Sequence, residues 1–200
     1  MVDKKLLEKI RKLACHEYWE KREDAASEMK KINDKFFEEY YPVWKDWVRD
    51  SNPNIRRAVE VGLLRISKKY VKEALELLEP LLYDSDKYVR KNCGPFAVSH
   101  VCHKDPGLAF KKLKEWMKID DINVRWNLAM CLGAWFGLTF PEESLKLLKD
   151  LAKDERRFVW RAAASSLIKI LRKYPEYKKE VYSWKNIDHV IEAVKKYVEK

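Results

Sequence analysis

A chain of 200 residues with 46% apolar side chains, 12% aromatics and eight tryptophans can bury a substantial core, which excludes a solvating, disordered polymer. Its formal net charge of +10 is uneven: residues 101–200 hold 21 basic and 14 acidic side chains and so carry +7 of the total. Such a surplus points to an anionic partner, nucleic acid before membrane.

The opening residues, "MVDKKLLEKIRKLACHEYW", read as an amphipathic helix with Leu6, Leu7, Ile10 and Leu13 on one side, rather than as a secretory signal. Four dispersed cysteines (Cys15, Cys93, Cys102 and Cys131) do not make a disulfide scaffold, so a cytoplasmic location is expected. Tyr40, Val43, Trp44 and Trp47 follow on a packing helix. From Val71 to Leu82 the leucines recur at helical spacing until "YDSD" breaks the run. His100, Cys102 and His103 lie close together, but only the two histidines share a helix face, and no metal or cofactor is expected. The apolar run Leu128 to Phe140 is too short to span a bilayer. Pro53, Pro106, Pro141 and Pro175 sit where helices would start, and Ile187, Val190, Ile191, Val194 and Val198 mark a closing helix.

One phrase recurs: "NPNIRRAVE", "DKYVRKNCG", "DINVRWNLA" and "RRFVWRAAA". Arg22, Arg56, Arg90 and Arg125 are spaced by 34, 34 and 35 residues, and Trp160 stands 35 further on. Periods of this length mean stacked helical hairpins, each burying its apolar face on its neighbours. The expected fold is all-α, a right-handed superhelix in one domain over residues 1–200. About five repeats would span 16–174, with an N-terminal helix and a C-terminal capping helix.

The cadence resembles the HEAT repeat. That likeness implies an Asp ahead of the second helix and an Arg in its first turn bonding from unit to unit, as Asp50 with Arg56 and Asp84 with Arg90. Counting from the apolar residue before each Arg, positions three, four and seven should be buried, while two and five should face away. Position two holds Arg57, Lys91, Trp126 and Arg161; position five holds Glu60, Gly94, Ala129 and Ala164. On this reading one basic strip with an aromatic in it lines a groove, and small side chains let a phosphate backbone come close. Glu60 would be either a structural partner of neighbouring arginines or a carboxylate held in the groove to stabilise developing positive charge.

"YVRKNCGPFAVSHVCHKDPG" (88–107), "IRRAVEVGLLRI" (55–66) and "VRWNLAM" (124–130) resemble the DNA alkylation-repair glycosylases built from HEAT-like repeats. The resemblance implies removal of N3- or N7-alkylated purines from duplex DNA without a metal. It would make Glu60 the catalytic acid, set Trp126 and Trp160 at the lesion pocket, and give Arg57, Lys91, Arg125 and Arg161 to DNA phosphates. The stretch "VKEALELLEPLLYDSD" departs from the family in having no tryptophan beside its acids. A monomer is expected, and the alternative is a non-enzymatic scaffold whose groove takes an acidic protein segment.

Overall fold

The computed structural model describes residues 2–199, and among them there are helices and turns but no strands. Short polar side chains start the helices by accepting the backbone N–H groups that a first turn leaves unpaired. Asp3 opens α1 (Lys4–Ala14), and Asn52 opens α3 (Pro53–Gly62). Asp86 opens α5 (Lys87–Asn92), Asp105 opens α7 (Pro106–Trp116) and Asp121 opens α8 (Ile122–Leu132). Pro53, Pro106 and Pro141 occupy first turns as their missing N–H requires, the last beginning α10 (Pro141–Leu151), and Pro175 begins a 3₁₀ turn.

The remaining helices are α2 (Trp19–Trp47), α4 (Val71–Leu78), α6 (Ser99–Lys104), α9 (Trp135–Thr139), α11 (Arg157–Lys173), α12 (Lys178–Tyr182) and α13 (Asp188–Val198). Helix α2 is bent at Phe36, whose φ of −131° lies outside the helical range, so one long helix serves as two arms. Between α5 and α6, Cys93–Val98 forms a π-helical stretch that absorbs the Gly94-Pro95 step without ending the helix.

The second helices pack side by side in the order α2 N-terminal arm, α3, α5 to α6, α8, α11 and α13, with α1, α4, α7 and α10 backing them. The N-terminal helix therefore pairs with α2 rather than standing outside the array, and α13 extends the second-helix layer beside α11. A continuous buried cluster runs from Ile10 to Val194. Ile55, Val89, Val124 and Val159, the apolar residues of the recurring phrase, are at most 1% exposed, as their periodicity predicts.

Arginines tie the layer together. Arg56 forms a forked pair with Asp84 of the following unit, at 2.7 Å from Nε and 2.6 Å from Nη2, while its Nη1 donates to the carbonyl of Asp50 at 2.6 Å. Arg22 and Arg90 make the same backbone contacts, to His16 and Glu17 and to Asp84 and Ser85. The carboxylate rung thus crosses to the next unit, whereas the Asp and Arg within one unit meet through backbone. Asp50 itself receives Arg11 at 2.7 Å.

Among the described residues, no helix is long and apolar enough to cross a membrane.

Candidate functional site

The second-helix layer presents a narrow exposed stripe, because each of its inner helices is flanked on both sides and backed from behind. Position two of the phrase lies on that stripe. Lys91 and Arg161 are exposed, and neither has a side-chain ion pair among the described residues. Arg57 is half-buried, its Nη2 3.8 Å from Glu23, and its Nη1 is enclosed without a hydrogen-bond partner. Trp126 is half-buried and lies parallel to Phe158, ring centres 5.3 Å apart and planes 9° apart.

Position five does not share the stripe. Glu60, Ala129 and Ala164 are at most 4% exposed and Gly94 is buried; they form the seam between successive second helices. A Cβ on Gly94 would collide with the Asn127 carbonyl, and one on Gly133 with Ser166. The small residues therefore admit the neighbouring helix, not a phosphate backbone. The expectation failed because a single apolar face was assumed for helices that are packed on three sides.

Glu60 is the sharpest correction. Its side chain is 0% exposed and neither carboxylate oxygen has a hydrogen-bond partner. Burial pushes its pKa up to about 8, with Arg57 pulling the other way and Asp84 adding to the rise. An acid sealed in this seam does not face the exposed stripe.

Arg125 is also reassigned. Its Nη1 reaches Asp154 at 3.1 Å, Nη2 faces the Met117 carbonyl at 3.4 Å, and Nε faces that of Ile119 at 3.5 Å. Asp154, buried, also takes Arg156 at 2.7 and 2.8 Å, and these guanidinium contacts hold its carboxyl below the usual carboxylate range. Arg125 thus belongs to the ladder and not to the stripe. Trp160 occupies the corresponding register one unit on, with its ring edge-on to His189 at 4.8 Å.

Three depressions follow the stripe. The first, between α2, α3 and α5, is lined by Trp19, Glu23, Asn54, Arg57 and Tyr88 among others, mixing both charge signs. The second, of about 660 Å³, lies between α8 and α11 and brings Trp126, Met130, Arg157, Phe158, Arg161 and Ser165 together. The third, between α11 and α13, shares Arg157 and Arg161 and adds Trp160, Lys169, Arg172 and Lys196. Neither of the last two has an acidic lining residue. Of the residues expected from sequence, Trp126 with Arg161 and Trp160 with Arg161 do meet, Arg57 stands apart at the mixed end, and Lys91 lies on open surface.

Structural comparison gives the layer a precedent. Among solved structures, the chain is similar to smu.31 from Streptococcus mutans UA159, with a TM-score of 0.74 at 20% identity over 96% of this chain and 99% of that one. It is similar as well to AlkD2 from Streptococcus mutans, with a TM-score of 0.67 at 18% identity over 98% of each. Both likenesses establish a shared fold. No protein-family model and no curated protein matches the sequence.

Sequence reasoning passed over several residues that shape the site. Tyr88 and Phe158, 65% and 41% exposed, immediately precede the apolar anchor of the phrase, a position whose variation was visible but unread. Trp19 and Glu23 open the first depression from α2. Asn127 is wholly buried: its Oδ1 accepts from the Gly94 N–H at 2.9 Å and its Nδ2 donates to the Leu82 carbonyl at 2.8 Å. Its signal was a lone amide in the apolar run "NLAMCL". The His100, Cys102 and His103 group is accounted for by packing. Both histidine rings contact Trp135, at 5.1 and 3.8 Å, and Cys102 is buried against Cys131. Among the described residues, no group of three or more His, Cys, Asp or Glu could hold a metal ion.

Proposed function

We propose that this protein binds duplex DNA along the exposed stripe of its second-helix layer and acts in DNA repair of the alkylation type. The observation that carries the reading is the acid-free depression holding Arg157, Arg161 and Trp126, next to a second one that adds Lys169 and Lys196. Cations without internal partners attract a phosphate backbone by releasing its condensed counterions, and the Trp126 and Trp160 rings contribute contact to sugar or base. The fold shared with AlkD2 and the sequence resemblance to alkylation-repair glycosylases support the same reading. Arg161 and Lys91 hold phosphates, with Arg57 at the opposite end, and Trp126 and Trp160 lie beside the lesion.

The test is a salt titration of binding to a blunt 20-base-pair duplex. The logarithm of affinity should fall linearly with the logarithm of salt, and Arg161→Ala should reduce that slope by about one. Weak binding that ignores salt would instead favour a protein scaffold that takes an acidic segment.

Excision of N3- or N7-alkylated purines needs a carboxylate that can face a sugar, and Glu60 does not supply one. A specific observation keeps this second reading: Glu23 is solvent-facing in the first depression, between Trp19, Arg57 and Tyr88. A carboxylate there would stabilise oxocarbenium character at the sugar. Base release from methylated duplex should then be lost in Glu23→Gln and kept in Glu60→Gln; release that Glu23→Gln leaves intact removes Glu23 from the reaction.

A further inference from the structure

Exposed rings on the stripe ask for something a paired helix does not offer. Tyr88, Phe158 and Tyr197 are 65%, 41% and 50% exposed, on α5, α11 and α13. A contiguous aromatic patch left in water marks a binding surface, and Phe158 forms one with the half-buried Trp126. Inside a duplex both faces of every base are covered by its neighbours, so a protein ring reaches only sugar, phosphate and groove edges. A base that has left the stack presents its full face, and base–aromatic stacking is strong and tolerant of sequence.

We infer that the Trp126–Phe158 pair, flanked by Arg157 and Arg161, is a stacking site for an unpaired base of a single-stranded nucleic-acid segment. The two rings already lie parallel, 9° apart, so Trp126 fixes the plane of Phe158 before a ligand arrives. That order removes part of the entropic cost of immobilising a side chain on binding. Met130 lines the same depression and supplies soft apolar contact to a planar ring. Arg157 and Arg161 lie within one turn of Phe158 and have no side-chain ion pair among the described residues, so each can take a phosphate flanking the stacked base. The ring pair, not the charge, argues against an acidic side chain or lipid-like occupant: the site joins a planar aromatic floor to cations, so its occupant offers a flat apolar face beside a negative charge, as a nucleotide does. Tyr197, beside Lys196 in the adjoining depression, extends the track toward α13.

This inference rests on the proposed nucleic-acid reading of the same face, and the experiment separates the two. Fluorescein-labelled dT20, rU20 and a blunt 20-base-pair duplex are titrated with the full chain and followed by anisotropy at 50 and 150 mM KCl. At least one of the two single strands should bind more tightly than the duplex. Phe158→Leu, which keeps the bulk and removes the π face, should weaken single-strand binding by about fivefold or more, the low end for one stacked base, and duplex binding by less than about twofold. Phe158→Tyr should restore it. Arg161→Ala should weaken both ligands alike and reduce both salt slopes.

If the duplex binds and Phe158→Leu leaves every affinity unchanged, or lowers all of them equally, the stacking site is overturned while the phosphate reading stands. If no ligand binds even at 50 mM KCl, both readings fall. A preference between dT20 and rU20 reports on the sugar and the C5-methyl group together, and either outcome supports stacking. Circular dichroism of each variant confirms that the helices persist.

Discussion

Glu60 shows what one side chain can cost a fold. An isolated carboxylate without hydrogen bonds is kept neutral by its surroundings, and this one keeps its proton until a pH of about 8. Because its pKa is raised in the folded protein, the native state binds the proton more tightly than the unfolded chain between pH 4.5 and about 8. Stability therefore declines as pH rises through that window, at up to about 1.4 kcal/mol per pH unit, and levels off above it. Glu60→Gln should flatten the decline and raise the melting temperature at pH 8 by about 3 °C or more. Melting curves of the two proteins from pH 5 to 9 would show it, and parallel curves would mean that the carboxylate is solvated. Arg56 makes the opposite case, a charge that is answered: its side chain is 10% exposed and its fork meets an Asp84 side chain that is 5% exposed. Removing one partner strands the other, so Arg56→Ala should destabilise by about 3–5 kcal/mol in urea unfolding, whereas the exposed Lys91→Ala should fall within about 0.5 kcal/mol.

The helices themselves were legible, and the reason is physical. Caps, first-turn prolines and the 3.6-residue period are local properties, and Asp86, Asp121, Pro106 and Pro141 act where the sequence places them. Two elements were not legible. The bend at Phe36 merges two arms into one helix, with no Gly or Pro at the bend and only the Asn33-Asp34 pair just before it to announce it. The π-helical stretch at Cys93–Val98 depends on a residue from another helix, since Asn127 takes the Gly94 N–H and reaches the Leu82 carbonyl. Asn127→Leu should cost about 2–4 kcal/mol by leaving both groups unpaired in the interior. Gly94→Ala, which sets a methyl group against the Asn127 carbonyl, should cost about 1–3 kcal/mol. A Gly94→Ala protein as stable as wild type would show that the two helices can separate at no expense.

Across the whole molecule the ladder and the charge distribution run unequally. Rungs join Arg11 to Asp50, Arg56 to Asp84 and Arg125 to Asp154. Ile119 stands in the register of Asp50, Asp84 and Asp154, so Arg90 bonds only to the backbone carbonyls of its own unit. The N-terminal depression answers Arg57 with Glu23, whereas the C-terminal ones leave Arg157 and Arg161 without an acid. Neutralising Arg157 and Arg161 together should therefore weaken duplex binding more than neutralising Arg57 and Arg22 together, by about tenfold at 100 mM salt. Equal losses would mean that the whole stripe, not its C-terminal end, carries the contact.

The amino-acid sequence by itself determined the helical class, the period of the array, the buried anchors at Ile55, Val89, Val124 and Val159, and the excess of charge in the C-terminal half. These follow from short-range spacing and composition, which every copy of the phrase repeats. Only the tertiary structure decided that Glu60 lies in a seam, that Arg125 is a rung and that Phe158 stacks on Trp126. Each of those depends on which helix stands beside which, and lateral neighbours 35 residues away leave no trace in the periodicity of a single helix.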